Sequence, residues 1–289
     1  MPSAAPAPER TAILLLSCPD RKGLMAAVAD FIYAHNANIV HFDQHHDVET
    51  NLLIMRVEWD LSAFDLELAD FRQRFWTIAK DFGMSWRVAT SEDRQRVAIF
   101  VSKGLHCLAD LLYRHSIGEL RCEIPFVLSN HQDAQGLADF YKIPFFHVEV
   151  GQDKKAAEDR QLDLLRQHTI DLVVLARYMQ ILSNEFISRF PHRIINIHHS
   201  FLPAFIGAKP YHRSFERGVK LVGATSHYVT EVLDEGPIIE QDVARISHRD
   251  TLDGLIQKGS DLEKVVLSRA VRWHLENKVI VFGNKTVVF

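Results

Sequence analysis

The chain has 289 residues, 47% of them hydrophobic and 24% charged, the balance of an ordinary globular protein with room for two domains. Its 33 basic and 37 acidic residues leave a net charge of −4, without the basic excess of a nucleic-acid-binding protein. No apolar run reaches the roughly 20 residues needed to span a bilayer, so no membrane partner is expected. The cysteines Cys18, Cys107 and Cys122 are odd in number and unclustered. That pattern points to reduced thiols in a cytoplasmic protein rather than a disulfide framework.

The leader Met1-Pro2-Ser3-Ala4-Ala5-Pro6-Ala7-Pro8 is small and proline-rich, and mobility is expected there. The apolar stretch 12–18 that follows Arg10 imitates a secretion signal, but it is short and its flank barely charged, so a buried strand explains it better. From Thr11 the pattern alternates. Residues 11–18 read as a strand and Asp20-Arg21-Lys22-Gly23 as a turn. A helix then carries Leu24, Val28, Phe31 and Ile32 on one face. Strands are expected at 38–46 and 51–59. Phe64, Leu68, Phe71, Phe75, Ile78 and Phe82 recur at helical spacing, and 84–89 closes the set. The order is βαββαβ, the ferredoxin-like arrangement.

Residues 90–95 read as a linker, giving domains at about 1–89 and 90–289. Beyond it the rhythm becomes repeated βαβ units: strands at 97–101, 123–128, 144–148 and 171–176, with helices beginning near Leu105, 135 and 155. Near-continuous apolar strands imply a mostly parallel, Rossmann-like sheet, with its site beyond the carboxyl ends of the strands. The loops after Val101, after Ala176 and around Asn196 should therefore converge. A long helix is expected from Asp250 to about Glu276, then a hairpin turning at Gly283-Asn284.

Two separated segments carry the chemistry. Asn196-Ile197-His198-His199-Ser200-Phe201-Leu202-Pro203 places an amide and an imidazole two residues apart, on one face of an extended segment. Asp234-Glu235-Gly236-Pro237-Ile238-Ile239 adds a carboxylate in a loop. Amide, imidazole and carboxylate are the groups needed to add a nucleophile to a carbonyl: donors for the oxyanion and a group to handle protons.

These two segments resemble the signature of the formyltransferase fold family, whose members use 10-formyltetrahydrofolate. With His199 in place of the proline common in that family, and the extension 204–212, the chain most resembles the formyltetrahydrofolate deformylase branch. Asp20-Arg21-Lys22-Gly23-Leu24 is similar to the first turn of an ACT module, which precedes the catalytic domain in that branch. The resemblance implies a hydrolase of one-carbon metabolism, in the setting of purine biosynthesis, that releases formate and tetrahydrofolate without cofactor or metal. It assigns Asn196, His198 and Asp234 to catalysis. Asn196 and His198 donate to the formyl oxygen, while Asp234 orients or charges His198 and helps take protons from water. It places substrate against Ser102, Met179, Gln180, Ile181, Leu182 and Ser200. Glycine or methionine is implied as an effector near Asp20 and Gly23, with pairing into a homo-oligomer through the ACT module. The loop Ser102-Lys103-Gly104-Leu105-His106 lacks the glycine-rich cradle of members that formylate phosphorylated amines, which favours water as acceptor. The alternatives are a formyltransferase to a small amine and a catalytically silent folate or amino-acid sensor.

Other clusters have plainer readings. Ser200 lacks the Gly-x-Ser-x-Gly context of a nucleophile, so a local hydrogen bond is the simpler role. His198, His199, His212 and His227 fall together among 16 histidines without a metal-binding spacing. His106 and Cys107 are neighbours on a helix, whose side chains should diverge, leaving a buried thiol. His41, His45 and His46 read as a solvated strand edge.

Overall fold

The computed structural model describes residues 10–204 and 210–289; the proline-rich leader and Lys209 lie outside the described residues. The chain divides into two compact units, residues 1–93 with 276–280 and 287–289, and residues 94–275 with 281–286. The first unit runs to Asp93, whereas the sequence reading divides the chain at 89/90. Parts of the C-terminal tail, however, group with the first unit, because Arg56 Nε donates to the Asn277 carbonyl at 3.2 Å and Arg87 bonds the Asn277 side chain.

In the first unit the elements are β1 (Thr11–Pro19), α1 (Leu24–Ala34), β2 (Ile39–Asp47), β3 (Leu52–Asp60), α2 (Leu68–Phe82) and β4 (Ser85–Thr90). The sheet is antiparallel in the order β2-β3-β1-β4, the ferredoxin-like topology. Central β1 pairs on both edges, and Ala12 to Leu16 are buried on both faces of the strand, so the stretch is apolar without alternation. The turn into α1 is a glycine position: Gly23 has φ +88°, open to glycine but strained for other residues. One expectation is corrected. Phe64 has helical spacing but lies outside α2, because the 61–67 segment is held by other bonds, Ser62 to Asp60 and the Asp65 N–H to the His35 carbonyl. Phe64 still packs edge-on against Trp59 at 5.7 Å, so packing alone explains its place in the apolar series.

The second unit contains β5 (Arg96–Val101), α3 (His106–Ser116), β6 (Glu123–Ser129), α4 (Gln135–Phe140), β7 (Phe145–His147), α5 (Lys154–Gln167), β8 (Leu172–Leu175), α6 (Asn184–Arg189) and β9 (Ile194–His198). It continues with α7 (Pro210–Arg217), β10 (Leu221–Tyr228), β11 (Ile238–Arg245) and α8 (Leu252–Leu275). Strands β12 (Val279–Phe282) and β13 (Lys285–Val288) form the expected hairpin, with Gly283 at φ +54° in its turn. The seven-stranded sheet runs β11-β10-β9-β8-β5-β6-β7, parallel from β9 to β7, with β10 antiparallel to both neighbours. From β5 the chain moves outward through β6 and β7, then returns to place β8 and β9 on the other side. This reversal opens a crevice at the carboxyl ends of β5 and β8. Among the described residues no helix is long and apolar enough to cross a membrane.

Candidate active site

The loops after β5, β8 and β9 do meet. Ser102 N–H donates to the Arg177 carbonyl at 3.2 Å, and Ser102 Oγ accepts the Met179 N–H at 3.0 Å while donating to Asn130 Oδ1 at 2.7 Å. Ser102 is buried and outside the cavity lining, and its hydroxyl fastens the loop that carries Met179. Ser200 likewise lies outside that lining. Its Oγ donates to the Ala204 carbonyl at 2.8 Å, and its own carbonyl accepts from Thr225 Oγ1 at 2.8 Å.

Met179, Gln180, Ile181 and Leu182, by contrast, line a cavity of about 640 Å³ together with Asn196, His198 and Asp234. That volume suits a small organic ligand. Its apolar wall is completed by Leu175, Ile187, Val229, Leu233 and Ile256.

Strand pairing positions the candidate catalytic groups. Asn196 on β9 lies opposite His227 on β10, and its Nδ2 donates to His227 Nε2 at 3.2 Å. His227 Nδ1–H donates to the Tyr228 carbonyl at 2.9 Å, which leaves Nε2 as the acceptor. Burial lowers the pKa of His227, so the ring stays neutral and able to accept. His227 therefore orients the Asn196 amide, a role invisible in sequence because the two residues are 31 positions apart. Two residues further along β9, His198 shares the Asn196 face. Its Nδ1 lies 3.2 Å from Asp234 Oδ1, and its Nε2 is buried without a hydrogen-bond partner.

Asp234 sits in the loop before β11 at φ +58°. Burial pushes its carboxyl up, but the hydrogen bond from His198 and the fields of His198 and His227 outweigh that and hold it below the usual range. The Gly-Pro that follows has a steric reason: a Cβ on Gly236 would sit 1.8 Å from the Tyr228 carbonyl oxygen, and Tyr228 N–H donates to the Pro237 carbonyl. The terminal hairpin clamps the same loop, with Asn284 Nδ2 donating to the Glu235 carbonyl at 2.9 Å and Thr286 Oγ1 to the Ile238 carbonyl at 2.6 Å.

A second polar group lines the cavity. Glu263 on α8, 1% exposed, accepts from Tyr211 Oη at 2.5 Å and His106 Nε2 at 2.8 Å, with Arg177 Nε at 3.3 Å. Burial raises its pKa, yet these partners more than compensate and keep it ionised. His106 and Cys107 do not diverge as fully as helix spacing suggests: their ligand atoms and that of Glu263 lie within 4.8 Å of one another. The donor set is ill suited to a metal. Burial pushes the Cys107 thiol well above its ordinary value, and the Glu263 oxygens are already taken.

Comparison with known proteins agrees with this architecture. Residues 95–271 match the formyl transferase family model, and residues 12–73 match the ACT domain model. A formyltetrahydrofolate deformylase of Synechocystis is 52% identical over 280 residues, covering 96% of this chain and 98% of the relative. The chain belongs to the formyltetrahydrofolate deformylase family. A Bacillus subtilis deformylase is 50% identical, covering 96% of this chain and 93% of its own. The crystal structure of a deformylase from Pseudomonas syringae pv. tomato superposes with a TM-score of 0.95 at 48% identity, covering 97% of this chain and 95% of that one. In this member of the deformylase family the second unit therefore carries the formyl transferase fold, and the first the ACT fold.

Asp20 and Gly23, which the resemblance assigns to regulation, both lie at the β1–α1 turn of the ACT unit, with Asp20 Oδ2 3.7 Å from His46 Nε2. His41, His45 and His46 are exposed on β2, an edge strand.

Proposed function

We propose that this chain hydrolyses 10-formyltetrahydrofolate to tetrahydrofolate and formate, with Asn196, His198 and Asp234 as its catalytic residues. The observation that carries the assignment of residues is the unpartnered His198 Nε2, buried in the wall of an apolar cavity while Asp234 occupies Nδ1. The formyl carbon accepts a water oxygen. Its carbonyl oxygen becomes an oxyanion that accepts hydrogen bonds from Asn196 Nδ2 and His198 Nε2. Asp234 stabilises positive charge on the imidazole, and the His198–Asp234 pair takes the proton released by the water. The carbon–nitrogen bond then breaks, the folate nitrogen gains a proton, and formate leaves. Met179 to Leu182 supply apolar surface for the heterocycle. As written, the reaction needs no metal and no redox cofactor.

Glycine or methionine is the proposed effector, bound near Asp20 and Gly23, and the assembly is a homo-oligomer paired through the ACT unit. Exposed Phe42 on edge strand β2 supports such pairing. The setting is cytoplasmic, consistent with Cys18 and Cys107 as buried thiols.

Incubation with 10-formyltetrahydrofolate in buffer alone, with both products quantified, tests the reaction. Equal amounts of formate and tetrahydrofolate support hydrolysis. Turnover only when an amine is added indicates a transferase, and binding without products indicates a sensor.

A further inference from the structure

Glu263, Arg177, Tyr211 and His106 are not needed for the chemistry above, yet they line the same cavity as His198. The cluster reaches the His198 ring through two intermediate side chains: the His198 and His199 centroids are 5.2 Å apart, His199 and Tyr211 5.9 Å, and Tyr211 bonds Glu263. The fold makes two local sacrifices to assemble this cluster. Arg177 takes a left-handed backbone, φ +63°, a conformation that disfavours any residue with a side chain. Helix α8 carries Gly259 in its interior, where a Cβ would lie 2.2 Å from the Tyr211 ring, so the helix forgoes a better helix former to seat the phenol. Both concessions bring a side chain onto one buried carboxylate.

We propose that this cluster is a plug on the acceptor side of the cavity that makes the enzyme use water instead of an amine. The inference rests on the hydrolytic reading above. A bare carboxylate near the formyl carbon would attract and orient a primary amine or ammonium. Here both Glu263 oxygens already accept hydrogen bonds and the carboxylate is paired with Arg177, so it offers an incoming amine much less than a bare carboxylate would. The amine also meets the Arg177 guanidinium, whose Nη1 is buried and unpaired. Water needs neither the volume nor the acceptor. Opening the plug should admit small primary amines: the amine nitrogen bonds the formyl carbon, the bond to the folate nitrogen breaks, and the proton lost by the amine passes to that nitrogen. The products are an N-formyl amine and tetrahydrofolate.

Arg177→Gly is the informative variant, because glycine suits the left-handed backbone and the fold should tolerate it. Tyr211→Ala opens the other side of the carboxylate. Wild type and both variants are given 10-formyltetrahydrofolate with excess glycinamide in single-turnover reactions, and formate and N-formylglycinamide are counted by mass spectrometry. Wild type should give formate almost alone, and at least one variant should raise the ratio of amine product to formate by roughly tenfold or more. A ratio within about twofold of wild type in both variants overturns the plug. So does loss of both products in both variants, since an excluding device is not required for hydrolysis. Wild type that releases no formate counts against the hydrolytic reading, and wild type that formylates the amine overturns both.

Discussion

His198 Nδ1 and Asp234 Oδ1 stand 3.2 Å apart, although 36 positions separate the two residues, and both side chains are almost wholly withdrawn from solvent. The pairing fixes which imidazole nitrogen is left for substrate. Asp234→Asn keeps the side chain's shape but removes the negative charge that stabilises a positive His198 ring and helps take the proton from water. Turnover should fall by about 10³- to 10⁴-fold, as losses of this kind do when a carboxylate orients a catalytic imidazole. Thermal unfolding and the steady-state rate together check this; a rate within tenfold of wild type in a folded variant (roughly 1.4 kcal/mol) would sink the role.

Asn196→Ala removes one proposed oxyanion donor and should cost roughly 100- to 1,000-fold in turnover while the fold survives. His227→Ala should lower turnover too, by about tenfold or more, because it frees the Asn196 amide without removing it. The informative measurement is the combination. The double variant should be no slower than Asn196→Ala alone, and additive losses would show that His227 does not act through Asn196.

Gly236→Ala should be severe for a residue outside the cavity lining. The added Cβ overlaps the Tyr228 carbonyl oxygen, a backbone atom that can yield only if β10 or the Asp234 loop shifts. A destabilisation of about 1–3 kcal/mol and a loss of turnover are expected. Denaturant unfolding and kinetics measure both, and wild-type values for each would show that the loop accommodates the methyl.

Asn284→Ala tests the clamp on that loop from the terminal hairpin. With one backbone carbonyl released, turnover should drop by about tenfold while affinity for substrate changes little, since Asn284 lies outside the cavity lining. A change confined to KM would contradict the positioning role.

His199 gives a pH signature of stability. Burial, then the charges of Arg177 and His198, push its pKa down from 6.5 to about 4. The unfolded chain thus binds a proton where the folded one does not. The stabilisation is complete above about pH 6.5 and is lost as the pH falls toward 4, by up to about 3 kcal/mol. Unfolding midpoints of wild type and His199→Gln across that range should show a shallower acid loss in the variant. Parallel curves would mean that His199 does not carry the effect.

Much of this protein was legible because its strands follow simple rules. The all-apolar β1 and β5 announced buried central strands, and the two-residue spacing of Asn196 and His198 announced a shared face. Elements α6, α7, β10 and β11 were not anticipated. Strand β10 contains glycine, threonine, serine and histidine because it packs antiparallel beside the site, where polar groups have partners, and so it lacks an apolar strand's pattern. The sequence did not show that the Ser102 hydroxyl bonds Asn130 and the Met179 N–H, or that Ser200 bonds the Ala204 carbonyl.

The local code thus determined the two folds, the strand bearing the amide and imidazole, and the loop bearing the acid, because periodicity and chain-breaking residues act over a few positions. It could not decide what those groups face. His227 beneath Asn196, the clamp from Asn284 and the Arg177–Glu263–Tyr211 cluster all join residues brought together by sheet order and helix packing. Such pairings are set by the burial of whole surfaces, and no short stretch of chain encodes them.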